Sequence, residues 1–324
     1  MKKILIALGA FAMITALTAC NQEDTGEGQS SNEQTKEIEN SSTSIASNNF
    51  YEAFDGDIDH IHGMGYAGSQ GAVYFAAHDG LKILDNGNWY KTKEENNDYM
   101  GFNATENGFY SSGHPGSDST LPNPVGIIQT TNGGQTLESL TLEGESDFHA
   151  MGVGFKNETI VLLNGQKNSL MEENSFYLSE DKAKTWKKVS AKGLEDQILS
   201  IAVHPTNANL VAAVGMQGVY LSEDKAESFT LISEGLQGTS VYFTEDALFY
   251  GGYNGSAVLV KRTLQGGTEE DLPLPELKED AIMNIAQNPQ KESEIFIVTF
   301  NGNIYQSTDG SNKWNLLVED GKIQ

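Results

Sequence analysis

Histidine is scarce in this chain, six in 324 residues, yet two of the six stand two positions apart in DHIHGMGY, residues 59–66. The others are His78 in AAHDGL, His114 in SSGHPG, His149 in SDFHAMG and His204 in AVHPTN. Carboxylates and thioethers travel with them: Asp59 and Met64 in the first segment, Asp98 and Met100 in NDYMGF, Asp147 and Met151 around His149. Neutral imidazole ligates zinc, copper, nickel and iron, and thioether sulfur shifts preference toward copper, above all Cu(I). A carboxylate beside such a histidine fixes its tautomer. These residue types point to a site for a transition metal or small ligand made by His60, His62, His78, His114, His149, Met64, Met100 and Met151, with copper the first expectation and zinc the second. If the chemistry is hydrolytic, Asp59, Asp98 and Asp147 are the catalytic candidates, either as a glycosidase pair or beside a metal-activated water. All of them need a fold that gathers residues distant in sequence.

That fold is all-β. Helical periodicity is nearly absent from the body of the chain, and short β-branched and aromatic runs alternate with Gly, Asn and Asp turns. Four segments align: QTTNGGQTL (129–137), LSEDKAKTW (178–186), LSEDKAESF (221–229) and QSTDGSNKW (306–314). Eroded copies stand at KILDNGNWY (82–90) and LVKRTLQGG (259–267). The period is roughly 40–45 residues, the length of one four-stranded propeller blade. Units beginning near residues 58, 99, 148, 198, 239 and 282 predict a single β-propeller of six four-stranded blades. A seventh is the alternative if Phe50–Phe54 completes another sheet. In each aligned segment the fourth residue, Asn132, Asp181, Asp224 or Asp309, is expected to accept hydrogen bonds from its own hairpin, a structural role.

Propeller topology then sorts the histidines. The loop before the first strand of a blade and the loop after its second open on one face, the top. His60, His62, His78, His114 and His149 all fall there, within three consecutive blades, whereas His204 falls in a bottom turn.

The chain begins MKKILIALGAFAMITALTAC. Two lysines and a short apolar run predict a leader over 1–19, too short for a membrane span. LTAC resembles a bacterial lipobox, which implies that Cys20, the single cysteine, is lipidated and anchors the protein on the outer face of the cell membrane. Residues 20–49 are polar and acidic, a tether without the apolar surface to fold; the propeller is expected over 50–324. The net charge of −25 excludes nucleic acid as a partner, because phosphate contacts need clustered Lys and Arg. The expected partners are the membrane, through the anchor, and a glycan or a membrane protein, with the chain itself a monomer.

The four aligned turns resemble the Asp-box, or BNR repeat, of sialidases, sortilin-type receptors and photosystem-assembly propellers. The combination HIHGMGY, AAHDGLKIL, DYMGF, SSGHPG, LPNPVGIIQTTNGG and SDFHAMGV is similar to bacterial secreted or lipid-anchored propellers labelled glycosyl hydrolase or sialidase-like. The resemblance implies carbohydrate cleavage. Sialidases, however, grip substrate with three arginines and attack with a tyrosine paired to a glutamate. Arg262 is the one arginine here, and Tyr99 and Glu145 are the nearest residues of the other two types. A tethered propeller with a top-face metal or ligand site is therefore the leading expectation; a glycosyl hydrolase and a protein-assembly scaffold are the alternatives.

Overall fold

The computed structural model describes residues 44–68 and 71–324; the leader, most of the tether and Cys20 lie outside the described residues. Six antiparallel sheets follow one another along the chain, four with four strands and two with five. The first strands, Ile61–Gly65, Asp98–Thr105, Met151–Val153, Ile198–Val203, Gln237–Phe243 and Ile282–Asn288, each pack against the first strand of the next blade, and the sixth packs against the first. The protein is a six-bladed β-propeller. No helix among the described residues is long and apolar enough to cross a membrane.

Burial follows from position within the blade. Second strands such as VYFAA (Val73–Ala77) and VAAVG (Val211–Gly215) are buried at every residue. A strand covered on both faces by neighbouring blades needs a continuous apolar run. Fourth strands are more exposed, and Glu269–Asp271 is exposed throughout. The apolar cores accordingly sit between blades. One joins Tyr74, Leu81 and Ile83 of blade 1 to Tyr99, Phe102 and Phe109 of blade 2; another joins Phe75 to Phe296 and Val298 of blade 6.

Two features define the N-terminal side. Tyr51–Ala53 pairs antiparallel with Asn88–Thr92, so it extends blade 1 outward as a fifth strand, and the described residues form six blades. Ile45, just before it, is 2% exposed in the core between blades 1 and 2. The ring closes where Ile58 N–H donates to Gly321 O at 2.7 Å and Asp57 bridges Lys322. The lead-in to blade 1 thus pairs with the C-terminal strand of blade 6.

The four aligned turns share one hydrogen-bond pattern. Asp181 Oδ1 accepts from Thr185 N–H at 2.9 Å and its Oδ2 from Thr185 Oγ1 at 2.6 Å. Asp224 repeats this with Ser228 at 2.8 and 2.6 Å. Asp309 accepts from Lys313 N–H and Asn132 from Thr136 N–H, each at 2.9 Å. These bonds, first the one from Thr185, pull the Asp181 carboxyl down to about 2. Asp181→Ala is expected to lower the melting temperature by a few degrees with no change in ligand binding by the folded protein; loss of binding at an unchanged melting temperature would contradict a structural role. The eroded copies depart from the pattern. Residues 82–90 make a tight hairpin over Asn86 and Gly87, both at positive φ, and residues 259–267 turn through Gly266 and Gly267.

Candidate metal centre

Aligned by their inner strands, the six top-face entrances read DHIH (59), DYMG (98), DFHA (147), DQIL (196), LQGT (236) and DAIM (280). In five of them the register slips at or just after the fourth residue, between Ile61/Gly63, Met100/Asn103, Ile198/Ser200, Gly238/Ser240 and Ile282/Asn284. A bulge adds a residue to one strand and re-aims its side chain. His62, Gly101, Leu199, Thr239 and Met283 thereby line one central cavity of about 330 Å³, joined by His149 and Met151 from blade 3.

The entrance aspartates do two different jobs. Asp196 accepts N–H groups of Met216 and Gln217, and Asp280 accepts that of Asn301, so both staple the strand start to the loop after the second strand. Asp98 and Asp147 turn to imidazoles instead. Glycine makes the first of these meetings possible. A Cβ at Gly63 would lie 2.8 Å from Phe102 Cβ, and one at Gly65 2.5 Å from Ala104 Cβ. Without those atoms the inner strands of blades 1 and 2 close up, bringing His62 to Asp98.

Asp98 Oδ1 lies 3.2 Å from His62 Nε2, and Asp98 Oδ2 lies 3.1 Å from His78 Nδ1. One donor atom from each residue falls within 4.8 Å of the other two. His62 Nε2 and Asp98 Oδ1 are shielded from water, yet neither has a hydrogen-bond partner among the described residues. Two buried polar atoms left facing each other are costly. A tetrahedral ion with bonds of about 2.0–2.1 Å spaces its ligands by roughly 3.3 Å, and an ion held by both atoms removes the cost. Two imidazoles and a carboxylate are a zinc-compatible donor set, with a further position open.

The second cluster is built differently. His149 Nε2 and His114 Nε2 approach the same oxygen, Asp147 Oδ2, at 2.9 and 3.2 Å. His114 Nδ1 is paired with Asn123 Oδ1 at 2.8 Å. The hydrogen bond to Asp147 raises the His149 pKa, and the same bond lowers that of Asp147. This carboxylate–imidazole group lies beside the first cluster, whose field it feels: His149 interacts electrostatically with both Asp98 and His62.

The other expected site residues fall away from the donors. His60 is 79% exposed, with its Nδ1 3.9 Å from Asp59, and its ring centre is 6.1 Å from that of His62. Met64 and Met151 line the cavity but are buried in the cores between blades 6 and 1 and between blades 2 and 3. Met100, half-buried, lines it as well. His204 is buried in its bottom turn, taking N–H groups of Thr206 and Asn207 on Nδ1 and donating from Nε2 to Glu245 O at 3.0 Å. Tyr99 is fully buried, donates to Glu95 O, and is pushed far above its ordinary pKa by burial. Glu145 holds the Ser169 backbone and hydroxyl, and Arg262 pairs with Glu269 on the rim of blade 5. Leu199, Met283, Phe300 and Asn123 were not singled out by residue type. Aligning the six entrances would have found the first two, because the fourth position of each is the bulge.

Burial lowers the His62 pKa from its ordinary 6.5, while Asp147 raises that of His149. On unfolding, His62 binds protons near 6.5 that the fold rejects, so its contribution to stability is lost as pH falls below about 6.5. His149 has the opposite sign: its contribution is complete below about 6.5 and disappears as pH rises through its folded value. NMR titration of metal-free protein is expected to place the His62 midpoint below 6.5 and the His149 midpoint above it; coincident midpoints would contradict the geometry.

No family model matches the sequence, and no curated protein is similar to it in sequence. Solved structures are similar in fold. The GH74 xyloglucanase from Xanthomonas campestris superposes with a TM-score of 0.52 at 15% identity, over 83% of this chain and 46% of its own. The extracellular domain of BT4673 from B. thetaiotaomicron gives 0.53 at 15%, over 85% and 36%. YCF48 from Cyanidioschyzon merolae gives 0.50 at 11%, over 84% and 89%. The chain thus spans less than half of the first two. At these identities the likeness is one of β-propeller fold.

Proposed function

We propose that this propeller is a metal-binding protein that holds zinc on its top face through His62 Nε2, His78 Nδ1 and Asp98. The observation that carries the reading is the unpartnered pair His62 Nε2 and Asp98 Oδ1, 3.2 Å apart and buried. Zinc takes precedence over copper because the clustered donors are nitrogen and oxygen, while Met64 and Met151 are packed into cores. A general-acid role for Asp147 is disfavoured, since a glycosidase acid needs a raised pKa and that of Asp147 is lowered. Chelator-stripped protein without a histidine tag is to be titrated with zinc and copper. One zinc per chain is expected, abolished in His62→Ala/His78→Ala and unchanged in the exposed control His60→Ala. Equal affinity in all three proteins would overturn the reading.

The site is proposed to work outside the cytoplasm, on a propeller tethered through lipidated Cys20. The support is LTAC after an apolar leader in a chain with one cysteine. Cys20→Ala is expected to release the protein from the membrane fraction or leave it unprocessed. Unchanged fractionation and maturation would refute the anchor.

A further inference from the structure

We propose that the cavity beside the metal takes a small organic ligand with an anionic, metal-ligating head and an apolar body. The proposal rests on the metal reading above and names what the ion would hold. Three protein donors leave zinc an open coordination position. His62, one of the three, is also a wall of the central cavity. Across that cavity the walls change character: Leu199, Met283 and Phe300 come from blades 4 and 6.

Leu199 and Phe300 are 40% and 53% exposed. Large apolar side chains held open around a cavity that has one metal donor, His62, in its wall mark a ligand surface. The volume, about 330 Å³, is at the small end for organic ligands, which suits a single ring with its head group. Asn284, on the same wall, has a buried Nδ2 with no acceptor among the described residues. The head must be anionic and metal-dependent. Asp98 and Asp147 lie behind the lining residues His62 and His149, on a chain of net charge −25, so an anion is repelled unless an ion reverses the local charge. Metal and ligand affinities are then coupled reciprocally.

The probes are benzohydroxamate and acetohydroxamate, which share a chelating head and differ in the ring. Both are titrated into the full-length protein in mild detergent, with and without zinc. The zinc-loaded wild type is expected to bind benzohydroxamate at least about tenfold more tightly than acetohydroxamate, and the metal-free protein to bind neither. Phe300→Ser is expected to bring the ratio close to one while zinc affinity stays within twofold. If wild type binds zinc but the two probes bind alike, or Phe300→Ser leaves the ratio unchanged, the ligand proposal is wrong and the metal reading stands. If wild type does not bind zinc, both fail together.

Discussion

Asp98→Asn is expected to weaken zinc binding more than about 100-fold while leaving the melting temperature of the metal-free protein within a few degrees of wild type. Changes to residues that merely support metal ligands cost 10–100-fold, and loss of an anionic ligand itself exceeds that. The fold should tolerate the change because Asp98 Oδ1 makes no hydrogen bond in the native structure. Here the internal repeat supplies a control. Asp196 occupies the same position in blade 4 but accepts three backbone N–H groups, from Gln197, Met216 and Gln217. Asp196→Asn should therefore lower stability and spare zinc. Calorimetric titration and thermal melts of the two variants separate these outcomes, and a shared phenotype would mean that Asp98 is another staple.

Gly101→Val should destabilise the propeller by about 3–5 kcal/mol, through steric overlap at a special backbone conformation. Gly101 has φ +52°, and a Cβ there would lie 2.1 Å from Phe148 O. The obstacle is backbone of blade 3, so no rotamer change relieves it. Gly87, also at positive φ but with nothing within 4 Å of its added Cβ, is the comparison; Gly87→Ala carries only the conformational cost, about 1 kcal/mol. Chemical denaturation measures both. Similar losses would show that the bulge in blade 2 is not the tight point described here.

The blades were legible in the sequence because four of the six repeat the same turn chemistry and their second strands repeat as buried apolar runs. The edge of blade 1 was not. Tyr51–Ala53 reads as a strand, but its partner is decided by which rim lies open, a tertiary fact. The gathering of histidines on the top face was also legible, since it needs only strand order. How they divide was hidden for two reasons. Each aspartate reaches an imidazole of the preceding blade, Asp98 to His62 and His78 and Asp147 to His114, and such pairings leave no mark in local sequence. The bulges also break the two-residue alternation, so parity could not say that His62 faces the cavity while His60 faces solvent. The methionines misled because residue type alone does not separate a sulfur ligand from a residue that fills a core.

Anomalous diffraction at the zinc edge, from crystals of the metal-loaded protein, tests the central claim most directly. A single strong peak is predicted about 2.0–2.2 Å from His62 Nε2, His78 Nδ1 and one Asp98 oxygen. A peak on His114, Asp147 and His149 instead, or no peak on the top face, would contradict it.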